Sequence, residues 1–179
     1  MRITSPYNIK NDSRPISKHV DDNRIDIFIK ESELLNIKPR IGDELYIDLT
    51  NFINSDSIDK LKFPHEYYEK LLSGGEYLTS DGSKKYFAGL IECLNYYVYA
   101  RLIANNSETV TRFGFVEKND EYSSNVELKK QLKSEKDVLQ IADMYISDCL
   151  DYLKENYKNI PKFKQGKQKN RLRISIIGN

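Results

Sequence analysis

Glycines and lysines cluster in the stretch SGGEYLTSDGSKKYFAGL, residues 73–90, in a pattern that could bind phosphate. A nucleotide-binding P-loop has the spacing G-x-x-x-x-G-K-[ST], in which backbone N–H groups surround the phosphates and the lysine reaches them. Here six residues separate Gly75 from Gly82, and Ser83 precedes Lys84. The residues before the glycines have a helical pattern, where a P-loop requires a strand. The spacing therefore argues against a phosphate site.

Metal and acid–base chemistry have little support elsewhere in the chain. The stretch PHEYYE starts like the zinc motif H-E-x-x-H, but Glu69 stands where the second histidine is required. The chain has two histidines, His19 and His65, and lacks a G-x-S-x-G serine motif. Its many carboxylates lie on the polar faces of predicted helices, and no pair of them forms an evident acid–base couple. We therefore predict a protein that is not an enzyme and binds no cofactor or metal.

The composition indicates one domain with appended arms. The chain has 179 residues, of which 39% are hydrophobic and 31% charged, and it contains 13 tyrosines. This length suits a single core, and tyrosines serve partner surfaces as well as cores. We predict an extended N-terminal arm over 1–19, a helical domain over 20–161 and a basic C-terminal arm over 162–179.

Hydrophobic spacing predicts three helices in the first half of the domain. Asp21 is placed to cap the first helix, and Pro39 to end it and to start the next one. The predicted inward faces of these three helices are Ile25, Phe28, Ile29 and Leu35; Ile41, Leu45, Leu49 and Phe52; and Tyr67, Tyr68, Leu71 and Leu72. Pro64 is placed to open the third helix, and Gly74 to end it in a left-handed conformation.

Two longer helices are predicted in the second half. The stretch FAGLIECLNYYVYARLIA is apolar nearly all round, which is typical of a central helix, and Arg101 within it requires a carboxylate partner. The last helix is predicted over 126–157, with an apolar stripe formed by Val138, Ile141, Ala142, Tyr145, Ile146, Cys149, Leu150 and Leu153. Cys93 and Cys149 fall in these patterns as small buried side chains, which suits a reducing cytoplasm.

The Asp81-Gly82 pair predicts a β-hairpin over 76–87, because this dipeptide is a strong signal for a two-residue turn. A two-residue turn sets Thr79 opposite Lys84 and Tyr77 opposite Tyr86. We expect a small tab that projects from the helical body and, because an isolated hairpin is marginal, lies on that body or on a neighbour, with Tyr77 and Tyr86 as contacts to a partner. Residues 105–125 are predicted as a long loop with some strand-like content. The predicted fold class is therefore mainly α: a bundle of four to five helices with a small β-hairpin, a long loop and extended arms.

Charge is unevenly distributed along the chain. Residues 21–60 contain ten acidic and five basic residues, whereas residues 158–179 contain seven basic residues and no acidic one. Such a tail could be solvated, or it could bind nucleic acid through phosphates, the function of a small nucleic-acid-binding module. We favour capture by a protein partner, because the apolar end of the tail would be an aggregation hazard if it were free; the residues expected to contact the partner are Arg171, Arg173, Ile174 and Ile176.

Several stretches, taken in order, resemble a known class of proteins. They are IKPRIGDELYIDLTN, YYEKLLSGGEY followed by GSKKYFAGLIECLNYYVYARLI, and TVTRFGFVEKNDEYS. Together they resemble the head-completion or head–tail connector proteins of tailed bacteriophages, most closely those of crAss-like phages. The resemblance covers roughly residues 20–160.

The resemblance implies a structural virion protein. Such proteins form a ring, by analogy a dodecamer, that docks beneath the portal, joins capsid to tail and extends the DNA channel. The implied partners are further copies of the chain, the portal protein, other tail or ring proteins, and DNA passing without sequence specificity, but no membrane. The implied location is the neck of the virion, after assembly in the host cytoplasm. The loop pattern implies subunit contacts at Arg112, Phe113, Gly114, Phe115, Glu121 and Tyr122, although the loop could instead fold back on its own body.

Overall fold

The computed structural model describes residues 2–11, 14, 16, 17, 19–56, 58–105, 108–111, 114–117 and 128–164, with 108–111, 114–117, 128 and 129 described by their backbone. The predicted mainly helical fold class is confirmed. In chain order the elements are α1 (Pro6–Asn11), α2 (Asp22–Ser32), a π-helical segment (Glu33–Ile37), α3 (Lys38–Ile41), α4 (Asp43–Asn54), a 3-10 turn (Asp59–Lys62), α5 (His65–Ser73), β1 (Gly75–Leu78), β2 (Lys84–Phe87), α6 (Gly89–Ala104), β3 (Glu108–Thr111), β4 (Gly114–Glu117) and α7 (Leu128–Glu155).

Helix α6 is the centre of the fold. It packs against α7 over the largest contact in the molecule, and also against α2 and α5. Its buried side chains point in every direction around the helix axis, as the nearly uniform apolar sequence predicts. Within the part of the chain that the structure describes, no helix has both the length and the apolar character required to cross a membrane.

Helix α2 begins as the sequence predicts but ends differently. The Asp21 carboxylate caps it by accepting a hydrogen bond from the Asn23 N–H at 3.0 Å. The chain then continues through the π-helical segment into α3, and Gly42 at φ 90° ends it. Pro39 therefore does not interrupt the helical course, but it lies in the first turn of α3, where a missing N–H is tolerated, as predicted for the start of the next helix.

The π-helical segment also changes which side chains point inward. Buried side chains recur every fourth residue across α2, the π-helical segment and α3, at Ile25, Ile29, Glu33, Ile37 and Ile41. Leu35, predicted on the inner face, is 61% exposed. The wider turn of the π-helical segment keeps side chains spaced by four residues on one face. In a regular α-helix, side chains at this spacing would drift around the helix and away from the core.

Helices α4 and α5 match their predicted apolar patterns. All four inward residues predicted for the second helix are buried: Ile41 at the end of α3, and Leu45, Leu49 and Phe52 on α4. Gly74 ends α5 at φ 78°, as predicted. The backbones of Gly74 and Gly89 also touch, because a Cβ on Gly89 would lie 2.4 Å from the Gly74 nitrogen. This close approach joins the end of α5 to the start of α6 at the base of the hairpin, and neither position accepts a side chain.

The N-terminal segment is part of the core, which corrects the prediction of an extended arm over 1–19. Pro6–Asn11 forms α1, and Ile3 and Ile9 are buried. Arg2 forms an ion pair with Asp26 of α2 at 2.8 Å. The polar composition of this segment hides its role, since its binding partners lie far along the chain.

The residues after α7 also pack on the body. Ile160 and Phe163 are buried, and the Lys164 ammonium forms an ion pair with Glu44 in the first turn of α4. The predicted C-terminal arm, 162–179, is therefore anchored over its first three residues. The predicted loop over 105–125 contains the antiparallel pair β3 and β4, in which Thr111 lies opposite Gly114.

Candidate functional site

The β1–β2 hairpin closes through a three-residue loop, which corrects the predicted register. The Thr79 N–H donates to the Ser83 carbonyl at 2.9 Å, so these two residues close the ladder. The Asp81 carboxylate accepts hydrogen bonds from the Thr79 hydroxyl and from the Ser83 N–H, and these bonds lower its pKa. Gly82 at φ 83° supplies the left-handed residue that such a loop needs.

The one-residue change in register separates the two tyrosines that were predicted to pair. Tyr77 lies opposite Lys85, and Tyr86 lies opposite Glu76. Because side chains alternate between the faces of a strand, Tyr77 and Tyr86 now point to opposite faces of the hairpin. Tyr77 is 7% exposed and Tyr86 is 72% exposed. Only Tyr86 is placed to contact a partner.

The inner face of the hairpin carries an aromatic cluster, formed by Tyr77, Phe87 and Tyr152. The rings of Phe87 and Tyr152 stack at a centroid distance of 4.7 Å, and Tyr77 meets both rings edge-on, at 5.6 and 5.3 Å. The Tyr152 hydroxyl donates to the Tyr67 carbonyl at 3.2 Å, and burial raises the pKa of Tyr152. Tyr152 was not in the predicted α7 stripe, because it lies beside that stripe and is buried against the hairpin and α5.

The hairpin lies on the body rather than projecting from it. Beyond the aromatic cluster, the Ser80 N–H at its tip donates to the Glu155 carboxylate at the end of α7, at 2.9 Å. The base is held by the contact between Gly74 and Gly89. Both ends of this small sheet are therefore fixed, although a two-stranded hairpin is marginal by itself.

The outer face of the hairpin is open to solvent and carries two large apolar side chains. These are Leu78, which is 63% exposed, and Tyr86. A groove of about 720 Å³ runs beside β1 and is bounded by β1, α5 and the end of α7. Its lining includes Glu66, Tyr67, Glu69, Lys70, Glu76, Tyr77, Leu78, Lys84 and Tyr152. We call the groove lined by these residues the hairpin groove.

A second exposed apolar patch lies on α2 and the π-helical segment. Ile27, Leu34 and Leu35 are all exposed and line a groove of about 650 Å³ together with Arg2, Asn23, Asp26, Lys30 and Glu31. This α2 groove shares no lining residue with the hairpin groove. The two apolar patches are therefore separate surfaces of one chain.

Glu33 binds the N-terminal segment from beneath. Its carboxylate accepts a hydrogen bond from the Ile3 N–H at 2.8 Å and another from the Tyr46 hydroxyl at 3.1 Å. The residue is 4% exposed. Burial raises the pKa of Glu33, and the two hydrogen bonds partly offset that effect. Burial, together with the nearby Glu33 carboxylate, raises the pKa of Tyr46 to about 12.

A second polar contact holds the same segment. The Thr4 hydroxyl donates to the Asn95 carbonyl oxygen at 2.9 Å, and both residues are buried. The Asn95 side-chain nitrogen is buried without a partner among the described residues. Neither contact is visible in the sequence, since Thr4 and Asn95 are 91 residues apart.

Arg101 of α6 has a structural role, as predicted. Its guanidinium lies 3.4 Å from the Glu31 carboxylate, and it donates to Ser32 and Asn36, each at 3.0 Å. These partners span the junction between α2 and the π-helical segment. Arg101 therefore holds that junction against the central helix.

The described residues offer little for covalent or metal chemistry. They contain no group of three or more histidine, cysteine, aspartate or glutamate side chains that could hold a metal ion. Cys93 and Cys149 are buried and free. Burial raises the pKa of the Cys149 thiol to about 12 and that of Cys93 well above its ordinary value, so neither thiol is activated as a nucleophile.

Most of the other predicted contact residues lie outside the described residues. These are Arg112, Phe113, Glu121, Tyr122, Arg171, Arg173, Ile174 and Ile176. Phe115 lies on β4, opposite Val110 of β3. The sequence did not point to Leu78, Glu76 or Glu66 of the hairpin groove, although the alternation of β1 identifies Leu78 once its register is known.

Comparisons with known proteins identify a family but no characterised relative. No curated protein matches the chain, and no solved structure matches it. Residues 37–173, which extend from the π-helical segment to beyond α7 and include the hairpin groove, match a family model described as Family of unknown function (DUF6712). Because this match covers most of the sequence, the chain belongs to that family.

Proposed function

We propose that this protein is a structural component of a bacteriophage head–tail connector, which assembles as a ring below the portal. In this role it joins capsid to tail in the neck of the virion and extends the channel through which DNA passes. Each subunit contacts further copies of itself within the ring. The ring contacts the portal protein and other neck proteins. It acts by binding and carries out no reaction.

The observation that carries the proposal is the pair of separate apolar patches on one small body. A ring requires two different surfaces per subunit, because each copy contacts one neighbour with one surface and the next neighbour with another. The hairpin groove and the α2 groove meet that requirement, since both expose large apolar side chains and they share no residue. A monomer with no partner has little reason to expose two such patches.

The sequence resemblance supports the same proposal. The resembling stretches include most of α5 and of the two strands of the hairpin, which supply most of the lining of the hairpin groove. The uneven charge of the chain also suits contacts between unlike surfaces, because an acidic front on one copy attracts the basic tail of another.

Electron microscopy of the full chain tests this proposal. The protein is purified alone and after coexpression with a phage portal protein, and both samples are imaged. We expect rings, or a portal ring that carries an additional layer of density. A chain that stays monomeric and never decorates the portal overturns the proposal.

A DNA-binding measurement at low salt separates this role from that of a nucleic-acid module. We expect DNA binding that is weak at most and has no sequence preference. When salt abolishes this DNA binding, portal decoration should persist. Tight DNA binding by a monomer that ignores the portal would instead support the module and contradict the connector.

A further inference from the structure

Strand β1 has a free edge. The hydrogen bond between Thr79 and Ser83 makes these residues a hydrogen-bonded pair, and such pairs alternate along an antiparallel ladder. The pairs at Tyr77 and Gly75 are therefore also hydrogen-bonded to β2. It follows that the N–H and C=O groups of Glu76 and Leu78 point away from β2. Within the described ranges, nothing accepts from or donates to them.

The free edge faces the hairpin groove, whose size and lining suit an added strand. Three tyrosines, Tyr67, Tyr77 and Tyr152, lie in its lining, and Tyr67 is only half-buried. Three carboxylates line it, from Glu66, Glu69 and Glu76, against two ammonium groups. Glu66 forms no ion pair among the described residues. The groove therefore favours a strand with one apolar face and a basic character.

The other edge of the hairpin is less suitable for a basic strand. It belongs to β2, which begins with Lys84 and Lys85, both exposed. Like charges placed side by side in a sheet destabilise the pairing. Charge therefore selects the β1 edge over the β2 edge for a basic partner.

The C-terminal sequence contains a segment with the required pattern. In RLRISII, residues 171–177, Leu172, Ile174 and Ile176 alternate with Arg171, Arg173 and Ser175. In an extended strand, the first set faces one side and the second set the other. The apolar side would face the half-buried Tyr67 of the groove, and the arginines would lie on the same side as Glu76.

The position of the last described residue makes this segment available to a neighbour. Lys164 is held on α4 by Glu44, and residues 165–170 then connect it to the segment. Six extended residues reach at most about 20 Å, which is enough to cross to a touching copy. A strand passed from each copy to the next gives every copy one donor and one acceptor, as a closed ring requires.

We propose that residues 171–177 of one copy add as a third strand to the free edge of β1 in the adjacent copy. Main-chain hydrogen bonds to Glu76 and Leu78 supply the pairing, and the acidic rim of the groove selects the basic segment. This inference rests on the ring proposed above and names the contact between its copies.

Cross-linking between two full-length variants tests the proposal. One variant carries Leu78→Cys and the other Ser175→Cys, with different affinity tags, and the mixture is oxidised mildly. Native Cys93 and Cys149 are buried and stay out of the reaction. We expect a disulfide between the two tagged chains. Its yield should be at least fivefold above that of a control in which Ile47→Cys, at an exposed position of α4, replaces Leu78→Cys.

Two results of that experiment overturn the proposal. In the first, Leu78→Cys and Ile47→Cys cross-link to the tail equally. In the second, a chain that carries both Leu78→Cys and Ser175→Cys forms its disulfide internally, while the mixed variants form none. The second result would place the segment in the groove of its own chain.

A proline variant tests whether the contact is a strand addition. Adjacent residues of an extended strand direct their N–H groups to opposite edges, so Arg173→Pro combined with Ile174→Pro removes an N–H that points to β1 in either strand direction. Arg173→Lys combined with Ile174→Val keeps both N–H groups and is the control. We expect the double proline variant to lower the cross-linking yield at least fivefold and the control to leave it within twofold of the parent. Equal yields from the two variants contradict main-chain pairing.

Imaging the same variants with the portal distinguishes failure of this inference from failure of the connector role. Portal decoration that persists without the tail-to-hairpin disulfide overturns the strand addition and leaves the connector role in place. A tail-to-hairpin disulfide in a protein that never decorates the portal overturns the connector role and leaves the strand addition in place.

Discussion

The N-terminal segment and the β1–β2 hairpin both pack against the helical body, yet they use their polar groups in opposite ways. The N-terminal segment gives its backbone to the interior, where Glu33 accepts from the Ile3 N–H. The hairpin buries only aromatic rings and leaves the backbone of Glu76 and Leu78 directed outward. The N-terminal segment therefore completes the fold, whereas the hairpin presents an edge that a partner could use.

Removing the aromatic anchor of the hairpin has the largest expected effect. Tyr152→Ala deletes the ring that stacks on Phe87 and meets Tyr77, and we expect it to lower the free energy of unfolding by about 3–5 kcal/mol. Tyr152→Phe is the control, because it keeps the ring and loses only the hydrogen bond to Tyr67, at a cost of about 0.5–1.5 kcal/mol. Urea denaturation measures both.

Equal losses in the two variants would show that the hydroxyl, rather than the ring, anchors the hairpin. The inner face would then depend on a buried polar contact, as the N-terminal segment does. The contrast between the two regions would be lost in that case.

The polar anchor of the N-terminal segment has the next largest expected effect. Glu33→Ala leaves the Ile3 N–H and the Tyr46 hydroxyl without their acceptor, and we expect a loss of about 1–3 kcal/mol in the free energy of unfolding. Glu33→Gln keeps one acceptor oxygen, so its loss should be smaller. Chemical denaturation of both variants is the measurement, and an alanine variant as stable as the parent would contradict the role given to Glu33.

The sequence predicted the elements whose signals are local. The spacing of Leu45, Leu49 and Phe52 is enough to define the buried face of α4, and Gly74 marks the end of α5 because only glycine adopts its conformation easily. Asp21 and Arg101 were also placed correctly, since a cap and a buried charge each require a specific kind of partner.

What the sequence did not predict depends on distant partners or on fine turn geometry. The burial of Ile3 requires Glu33, which lies 30 residues away, so a polar N-terminus looked like a free arm. The hairpin register depends on Asp81 accepting from both Thr79 and Ser83, which adds one residue to the loop. That one residue moved Tyr77 from the predicted contact surface into the aromatic cluster.

The pH dependence of stability gives a smaller test of the same polar anchor. Burial raises the pKa of Glu33 above its ordinary value of 4.5, so the folded state holds its proton to higher pH than the unfolded state does. Its contribution to stability is therefore fully present below pH 4.5 and is lost as pH rises through the folded pKa. Glu33→Gln cannot titrate, so the stability of the parent relative to this variant should fall across that range.

Urea denaturation of both proteins at a series of pH values gives the difference directly. If the parent instead becomes more stable relative to Glu33→Gln as pH rises, the hydrogen bonds from Ile3 and Tyr46 outweigh the cost of burying the charge. The N-terminal segment would then be held by an ionised carboxylate.

The smallest expected effect on stability is on the outer face of the hairpin, where the effect on assembly should be largest. Leu78→Ser with Tyr86→Ser removes two exposed apolar side chains, so we expect the free energy of unfolding to change by no more than about 0.5 kcal/mol. Self-association, measured by mass photometry, should weaken at least tenfold. Ile47→Ser, at an exposed position of α4, should leave self-association unchanged. A surface that serves only assembly is dispensable to the single chain, so stability and association should separate here and nowhere in the N-terminal segment. If the double variant unfolds easily, the outer face belongs to the fold, as the N-terminal segment does. If it associates like the parent, the outer face does not carry the contact between copies.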